Sequence, residues 1–308
     1  MDGIISEMRE KGRSLLYIRN YVNVLRSFLK SNKYKWLNKL DIDIPRIPPR
    51  YRKRYEYIPT PEEALKMAEC AKYLRDKLII LLAAFSGLRL STILALRYKD
   101  VRDELEKGVD NIKVEIYPEM KKVIPEACKG EIPYYTFTIK RATEYLRLYI
   151  EERKHIYGGI EDDEPIFTTT HNLIDKDKRR WKPLSKRVAE QIVKEAAEKA
   201  GLKQWMHVTP HSLRKTFQSF LRNQPEHTRL DIRDQEFLFG HILAGSMDNY
   251  YDKGKIEELR RKFSMMDPDL RRVAKQKLVS PDEVGTYVED GWIVKFVLPN
   301  GMIVIEKP

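Results

Sequence analysis

The stretch from Thr209 to Asp252 concentrates residue types that handle phosphate: His211 and Arg214, then His241, then the neighbouring phenols Tyr250 and Tyr251. Thr209 is a natural N-cap and Pro210 suits the first helical position, so a helix is expected to begin there and to place His211 and Arg214 on one face. A polar loop over 223–229 then leads to a short apolar helix ending at Gly240, a C′ glycine that leaves His241 on the turn just past it. After Gly245 and Ser246 a further helix would carry Tyr250 and Tyr251. Adjacent tyrosines on a helix point about 100° apart, so only one of them can face a given target.

A guanidinium with imidazole N–H donors forms a fork for non-bridging phosphate oxygens. A phenol can attack phosphorus, because the product is a stable phosphotyrosine ester. Metal-independent transfer also needs a second cation, since donors must already be aimed at the oxygens that gain charge. Arg89, in the run Phe85-Ser86-Gly87-Leu88-Arg89-Leu90-Ser91, is such a cation: Ser86 and Gly87 break an apolar helix and put it at the mouth of the next. An arginine between two apolar helices must find an anion or reach water. No carboxylate cluster or cysteine set accompanies these groups, and His155 and His171 lack companions at metal-ligand spacing, so neither metal nor cofactor is expected.

In this order and spacing, the Ser-Gly-Leu-Arg turn ending in Arg89, His211-x-x-Arg214, Gly240-His241 and a tyrosine nine residues beyond resemble the tyrosine recombinases of the phage integrase family. The resemblance covers roughly Pro59 to Asp252. It implies a mainly α fold with a small antiparallel β-sheet and a site-specific recombinase or integrase that cuts and rejoins DNA through a 3′-phosphotyrosyl link. It further implies that Tyr250 is the nucleophile, that Arg89, Arg214 and His241 hold the phosphate, and that His211 takes the phenol proton. The family also places a lysine in a β-hairpin as the acid for the leaving 5′ oxygen. Lys129 fits that position, with Lys121 and Lys122 as rivals. One departure is Thr92, where many relatives carry an acid. The expected partners are double-stranded DNA and further copies of the chain, as a homo-tetramer on DNA. An integrase of a virus or mobile element, archaeal in style, is preferred. Two rival activities stand beside this reading: DNA relaxation like that of a type IB topoisomerase, and a catalytically inactive DNA-binding module.

The elements that must position these groups follow from composition and periodicity. With 58 Lys and Arg against 46 Asp and Glu, the chain carries +12, which suits a polyanionic partner, although a generic basic protein would carry it too. No run of about 18 uncharged apolar residues suggests a membrane span. Cys70 and Cys128 make no disulfide framework, which points to a reducing, cytoplasmic setting.

Four segments are expected. Residues 1–45 form a helical DNA-clamp segment, with apolar positions from Ile18 to Leu29 at helical spacing; it is about half the length of a full clamp, so it is either reduced or part of a longer protein. Residues 46–59 form a basic, Pro-rich linker in which Arg50, Arg52, Lys53 and Arg54 could follow a DNA backbone. Residues 60–255 form the catalytic domain. It opens at the capping box Thr60-Pro61-Glu62-Glu63, continues through a buried helix over 78–85, and includes a three-stranded sheet over 113–117, 122–124 and 132–139. Helices follow over 141–157 and 185–200, with an exposed polar loop over 171–182 between them. Residues 256–308 form a tail with a helix over 269–277 and a hairpin around Pro299-Asn300-Gly301, expected either to dock on a neighbouring subunit or to pack on its own chain.

Overall fold

The structure, a computed structural model, describes residues 2–32, 47, 55–170, 175–243, 252, 254–268, 275–298 and 300–307. The chain divides into two compact units, Met1–Tyr55 and Glu56–Pro308. In the first, α1 (Asp2–Glu10) and α2 (Leu15–Ser31) close on Ile5, Ile18 and Val22. The buried face of α2 is narrower than the periodicity suggests, because Tyr21 and Phe28 are exposed. Arg50, Arg52, Lys53 and Arg54 lie outside the described residues.

The second unit opens with the expected capping box. The Thr60 hydroxyl accepts from the Glu63 N–H, and the Glu63 carboxylate accepts from the Thr60 N–H, which starts α3 (Pro61–Cys70). Helix α4 (Leu74–Phe85) is buried on every side over 78–85, as its unbroken apolar run requires. It packs on α10 (Pro210–Arg222), with Phe85 and Phe220 edge to face at 5.4 Å. Phe217, Phe220 and Leu221 form the buried stripe of α10. Short α5 (Leu90–Ala95) and α6 (Lys99–Glu106) follow α4, and α7 (Lys140–Tyr157) and α9 (Lys186–Lys199) enclose the same core.

Three expectations need correction. Where three strands are expected, residues 113–137 hold a two-stranded sheet, β1 (Lys113–Ile116) antiparallel to β2 (Tyr134–Phe137), with Ile116 opposite Tyr134. The segment expected as a middle strand over 122–124 instead leaves a 3-10 helix, Pro118–Lys122. Pro118 favours helix entry and Pro125 cannot donate to a ladder, so β-branched residues between them gain no partner strand. The polar stretch expected as a loop contains α8 (Lys176–Trp181), started by the Asp175 carboxylate, which accepts from the Asp177 and Lys178 N–H groups. Residues 275–277, expected as helix, lie in β3 (Lys275–Val279), paired to β5 (Ile303–Lys307) across a long sequence separation.

The tail otherwise follows its pattern. After α12 (Ile256–Ser264), β4 (Ile293–Val297) pairs antiparallel with β5, and the unanticipated α13 (Val284–Glu289) packs on this three-stranded sheet over Val279, Trp292 and Ile305. Among the described residues the fold is mostly helical, with two small antiparallel sheets. Among the described residues, no helix is long and apolar enough to cross a membrane.

Candidate active site

Arg89 is delivered by a break between two helices. Helix α4 ends at Ser86, Gly87 turns through φ +61°, and Arg89 becomes the N-cap of α5. A Cβ on Gly87 would lie 2.2 Å from the Phe217 ring, so the turn needs glycine for both its conformation and its closeness to α10. Strand β2 fixes the turn from another side, as the Thr136 hydroxyl donates to the Ser86 carbonyl at 2.9 Å. The half-buried Arg89 side chain has no hydrogen bond or ion pair among the described residues. Thr92 is buried and its hydroxyl has no partner there either.

Helix α10 starts as its sequence predicts. The Thr209 hydroxyl accepts from the Ser212 N–H, the Ser212 hydroxyl accepts from the Thr209 N–H, and Pro210 fills the first turn. One turn in, Arg214 is 6 % exposed. Its guanidinium donates to the carbonyls of Gly87 and Phe239 and lies 4.9 Å from the centre of the Phe239 ring. A single side chain therefore ties the Arg89 turn to the turn that precedes His241. Burial pushes Arg214 down to about 10, and the nearby Arg89 charge pushes in the same direction, with Tyr134 and Glu236 opposing. It stays cationic at neutral pH.

His211 lies at the surface end of the same helix. Partial loss of hydration, then the charges of Lys215, Arg214 and Arg89, push its imidazole below the usual histidine value, against the opposing pull of Glu56. Glu56 is ion-paired to Lys215. A neutral imidazole beside two arginines can accept a proton.

Helix α11 (Ile232–Leu238) closes with a Schellman motif: the Gly240 N–H donates to the Phe237 carbonyl and the His241 N–H to the Glu236 carbonyl. Gly240 takes φ +62°, and a Cβ there would lie 2.3 Å from the Tyr134 ring. The motif brings His241 back over Glu236, and His241 Nδ1 lies 2.6 Å from the Glu236 carboxylate. The His241 ring also stacks on Phe239 at 5.5 Å.

Tyr134, from β2, fills the space between these turns. Burial pushes its phenol up, while Arg214 and Arg89 pull it down. Neither Tyr134 nor Glu236 is singled out by the sequence pattern. The only local signal is the spacing of Glu236 from Gly240-His241, which a Schellman turn converts into contact.

The three lysines of the 117–133 connection are placed differently. Lys129 is exposed in a 3-10 turn shaped by positive φ at Cys128, Gly130 and Glu131, and has no ion pair among the described residues. Lys121 is half-buried and bound to Glu131 at 2.9 Å, while Lys122 is exposed. Burial pushes the Cys128 thiol up, with Lys121 and Arg89 pulling the other way, so this turn lies near the Arg89 side of the cluster. Tyr250 and Tyr251 lie outside the described residues. Among the described residues, no group of three or more His, Cys, Asp or Glu could hold a metal ion. The structure thus brings Arg89 and Arg214 together beside Tyr134, with His211 near both arginines and His241 joined to Arg214 through Phe239.

Comparison with known proteins gives a consistent picture. The phage integrase family matches residues 60–255. The tyrosine recombinase XerA of Pyrococcus horikoshii is 26% identical over 261 residues, covering 83% of this chain and 75% of that protein. The XerA of Pyrococcus furiosus is 28% identical over 251 residues, covering 80% and 73%. Among solved structures, the XerH site-specific recombinase in a post-cleavage complex with its palindromic difH substrate shares the fold. The TM-score is 0.54 at 19% identity, over 82% of this chain and 67% of that one.

Proposed function

This chain belongs to the phage integrase family of tyrosine recombinases, and we propose that it exchanges strands between two double-stranded DNA sites through a 3′-phosphotyrosyl intermediate. The observation that carries this reading is the pair Arg89 and Arg214. The two guanidiniums are close enough for one to disfavour the other's charge, and no carboxylate pairs with either among the described residues. Two such cations, one of them buried, make a site for an anion whose charge grows during reaction.

In this reading the Tyr250 oxygen attacks the scissile phosphorus, forming the Tyr–O–P bond as the P–O5′ bond breaks. The phenol proton passes to His211, which its surroundings hold neutral. An unperturbed phenol titrates near pH 10, so it needs such an acceptor at neutral pH. Arg89, Arg214 and His241 donate to the non-bridging oxygens, and Lys129 supplies the proton for the leaving 5′ oxygen. The 5′-hydroxyl of a partner duplex then attacks the phosphotyrosine and releases Tyr250. The bond made matches the bond broken, so neither ATP nor metal enters the scheme.

Residues 1–45 act here as a DNA clamp, with Arg50, Arg52, Lys53 and Arg54 along the backbone, residues 60–255 as the catalytic domain, and four copies as the exchanging assembly. The test is an exchange assay with two differently labelled duplexes carrying the attachment site of the element that encodes the chain. Recombinant products joining both labels are expected. Relaxation of supercoiled plasmid with no joined product would instead assign a topoisomerase.

A further inference from the structure

Of the three phosphate donors in the proposed site, Arg214 is fixed by two carbonyls, and the Arg89 backbone is set by its place at the mouth of α5. His241 sits on a turn rather than in a helix, and an imidazole on a turn can rotate about two side-chain bonds and exchange tautomers. Something must select one orientation if the ring is to meet a phosphate.

Three contacts do so, and all come from α11 and its cap. The Schellman turn fixes the His241 backbone, because its N–H is bound to the Glu236 carbonyl at 3.1 Å. Phe239 covers one ring face, 5.5 Å away and nearly parallel. The Glu236 carboxylate sits 2.6 Å from Nδ1. A carboxylate only accepts, so Nδ1 must carry the proton in this contact, and Nε2 is the nitrogen left to face outward. The carboxylate is not committed to a strong pair elsewhere: Arg222 is 3.9 Å away, and Arg214 feels its charge without an ion pair. Glu56 is taken up by Lys215, and position 92 is a threonine with an unpartnered hydroxyl.

We propose that Glu236 is the positioning residue of this site, acting through His241: its carboxylate holds the Nδ1–H so that Nε2 is presented to the scissile phosphate. The assignment rests on the recombinase reading above. Glu236 makes no contact with the substrate itself. Its negative charge lies behind the imidazole and stabilises positive charge on that ring as the phosphate oxygens gain electron density. Helix geometry explains the pairing, because the first residue past the C′ glycine and the residue five before it are the two ends of the Schellman hydrogen bond.

The test is a double-mutant cycle on single-turnover cleavage of a nicked duplex, using wild type, Glu236→Ala, His241→Ala and the double variant, with duplex affinity measured alongside. Glu236→Ala should slow cleavage on the order of tenfold, the scale of one charge-assisted hydrogen bond, at unchanged affinity. On the His241→Ala background the same substitution should cost less than about twofold, since a residue that acts only through His241 has nothing left to position. An equal loss on both backgrounds would assign Glu236 to the stability of α11 and overturn the proposal, as would wild-type cleavage by Glu236→Ala. If Glu236→Ala does not fold, Glu236→Gln enters the cycle in its place and is read in the same way. A wild-type chain that binds its site tightly yet cleaves nothing would remove the recombinase reading itself, which separates that failure from this one.

Discussion

Two regions of the second unit bury arginine, and they do it in opposite ways. Arg153 is 2 % exposed and donates to Glu164, itself fully buried, at 2.9 Å, to the carbonyl of Ile166 at the same distance, and to that of Pro165. Arg180 reinforces the same carboxylate, and nearby Arg75 pairs with Asp76 at 2.8 Å. Arg214 is 6 % exposed and also donates to two carbonyls, yet no carboxylate pairs with it among the described residues, and Arg89 lies close by. The first arrangement is electrically complete and fastens α7 to the chain around α8. The second is held in place by carbonyl dipoles and left with surplus positive charge. A buried cation marks a working site when its geometry is satisfied and its charge is not.

The largest expected effect that would break this contrast is on catalysis. Arg214→Ala should lower single-turnover cleavage by about 10²–10³-fold, the scale for removing one pre-aimed donor from a developing oxyanion. Arg153→Ala should leave cleavage per folded molecule within about twofold while lowering unfolding stability by about 3 kcal/mol in urea titration, because Glu164 then loses a buried partner. If the two variants exchanged these phenotypes, the distinction between the regions would be lost.

Much of the contrast is absent from the sequence. The capping box at Thr60, the N-cap at Thr209, the broken helix before Arg89 and the glycine before His241 are legible because each depends on a few neighbouring residues. So is the hairpin of β4 and β5. The two-stranded sheet, α8 and the pairing of β3 with β5 are not legible from local pattern. Pro118 and Pro125 defeat a β-rich composition, α8 has no apolar periodicity, and β3 gains its strand from a partner far along the chain. Tyr134 reads as an ordinary strand residue until Gly240 and Arg214 are packed against it. Which arginine meets a carboxylate is likewise a tertiary fact: Arg153 and Arg214 both lie within helices and find their partners elsewhere in the chain.

Smaller effects sharpen the same comparison. In the proposed mechanism His211 is the neutral base, and its folded-state value is pushed below 6.5. The acid-side midpoint of the cleavage rate should therefore lie below pH 6.5, with the rate falling about tenfold per unit well beyond that midpoint. An acid-side midpoint at or above pH 6.5 would contradict this assignment. The smallest effect expected is on ligand-linked stability. Inorganic phosphate at ten times its Kd should stabilise the wild type by about 1.4 kcal/mol in thermal melts and the Arg214→Ala variant by much less, while Arg153 variants retain the response.

Covalent transfer of DNA to Tyr250 is tested directly by a suicide substrate. A nicked duplex bearing the attachment site is incubated with wild type, Tyr250→Phe and Tyr251→Phe, and the protein–DNA adduct is read on a denaturing gel. The account predicts an adduct with wild type and Tyr251→Phe and none with Tyr250→Phe. An adduct that survives in Tyr250→Phe, or a wild type that binds the site tightly and never forms one, would contradict it.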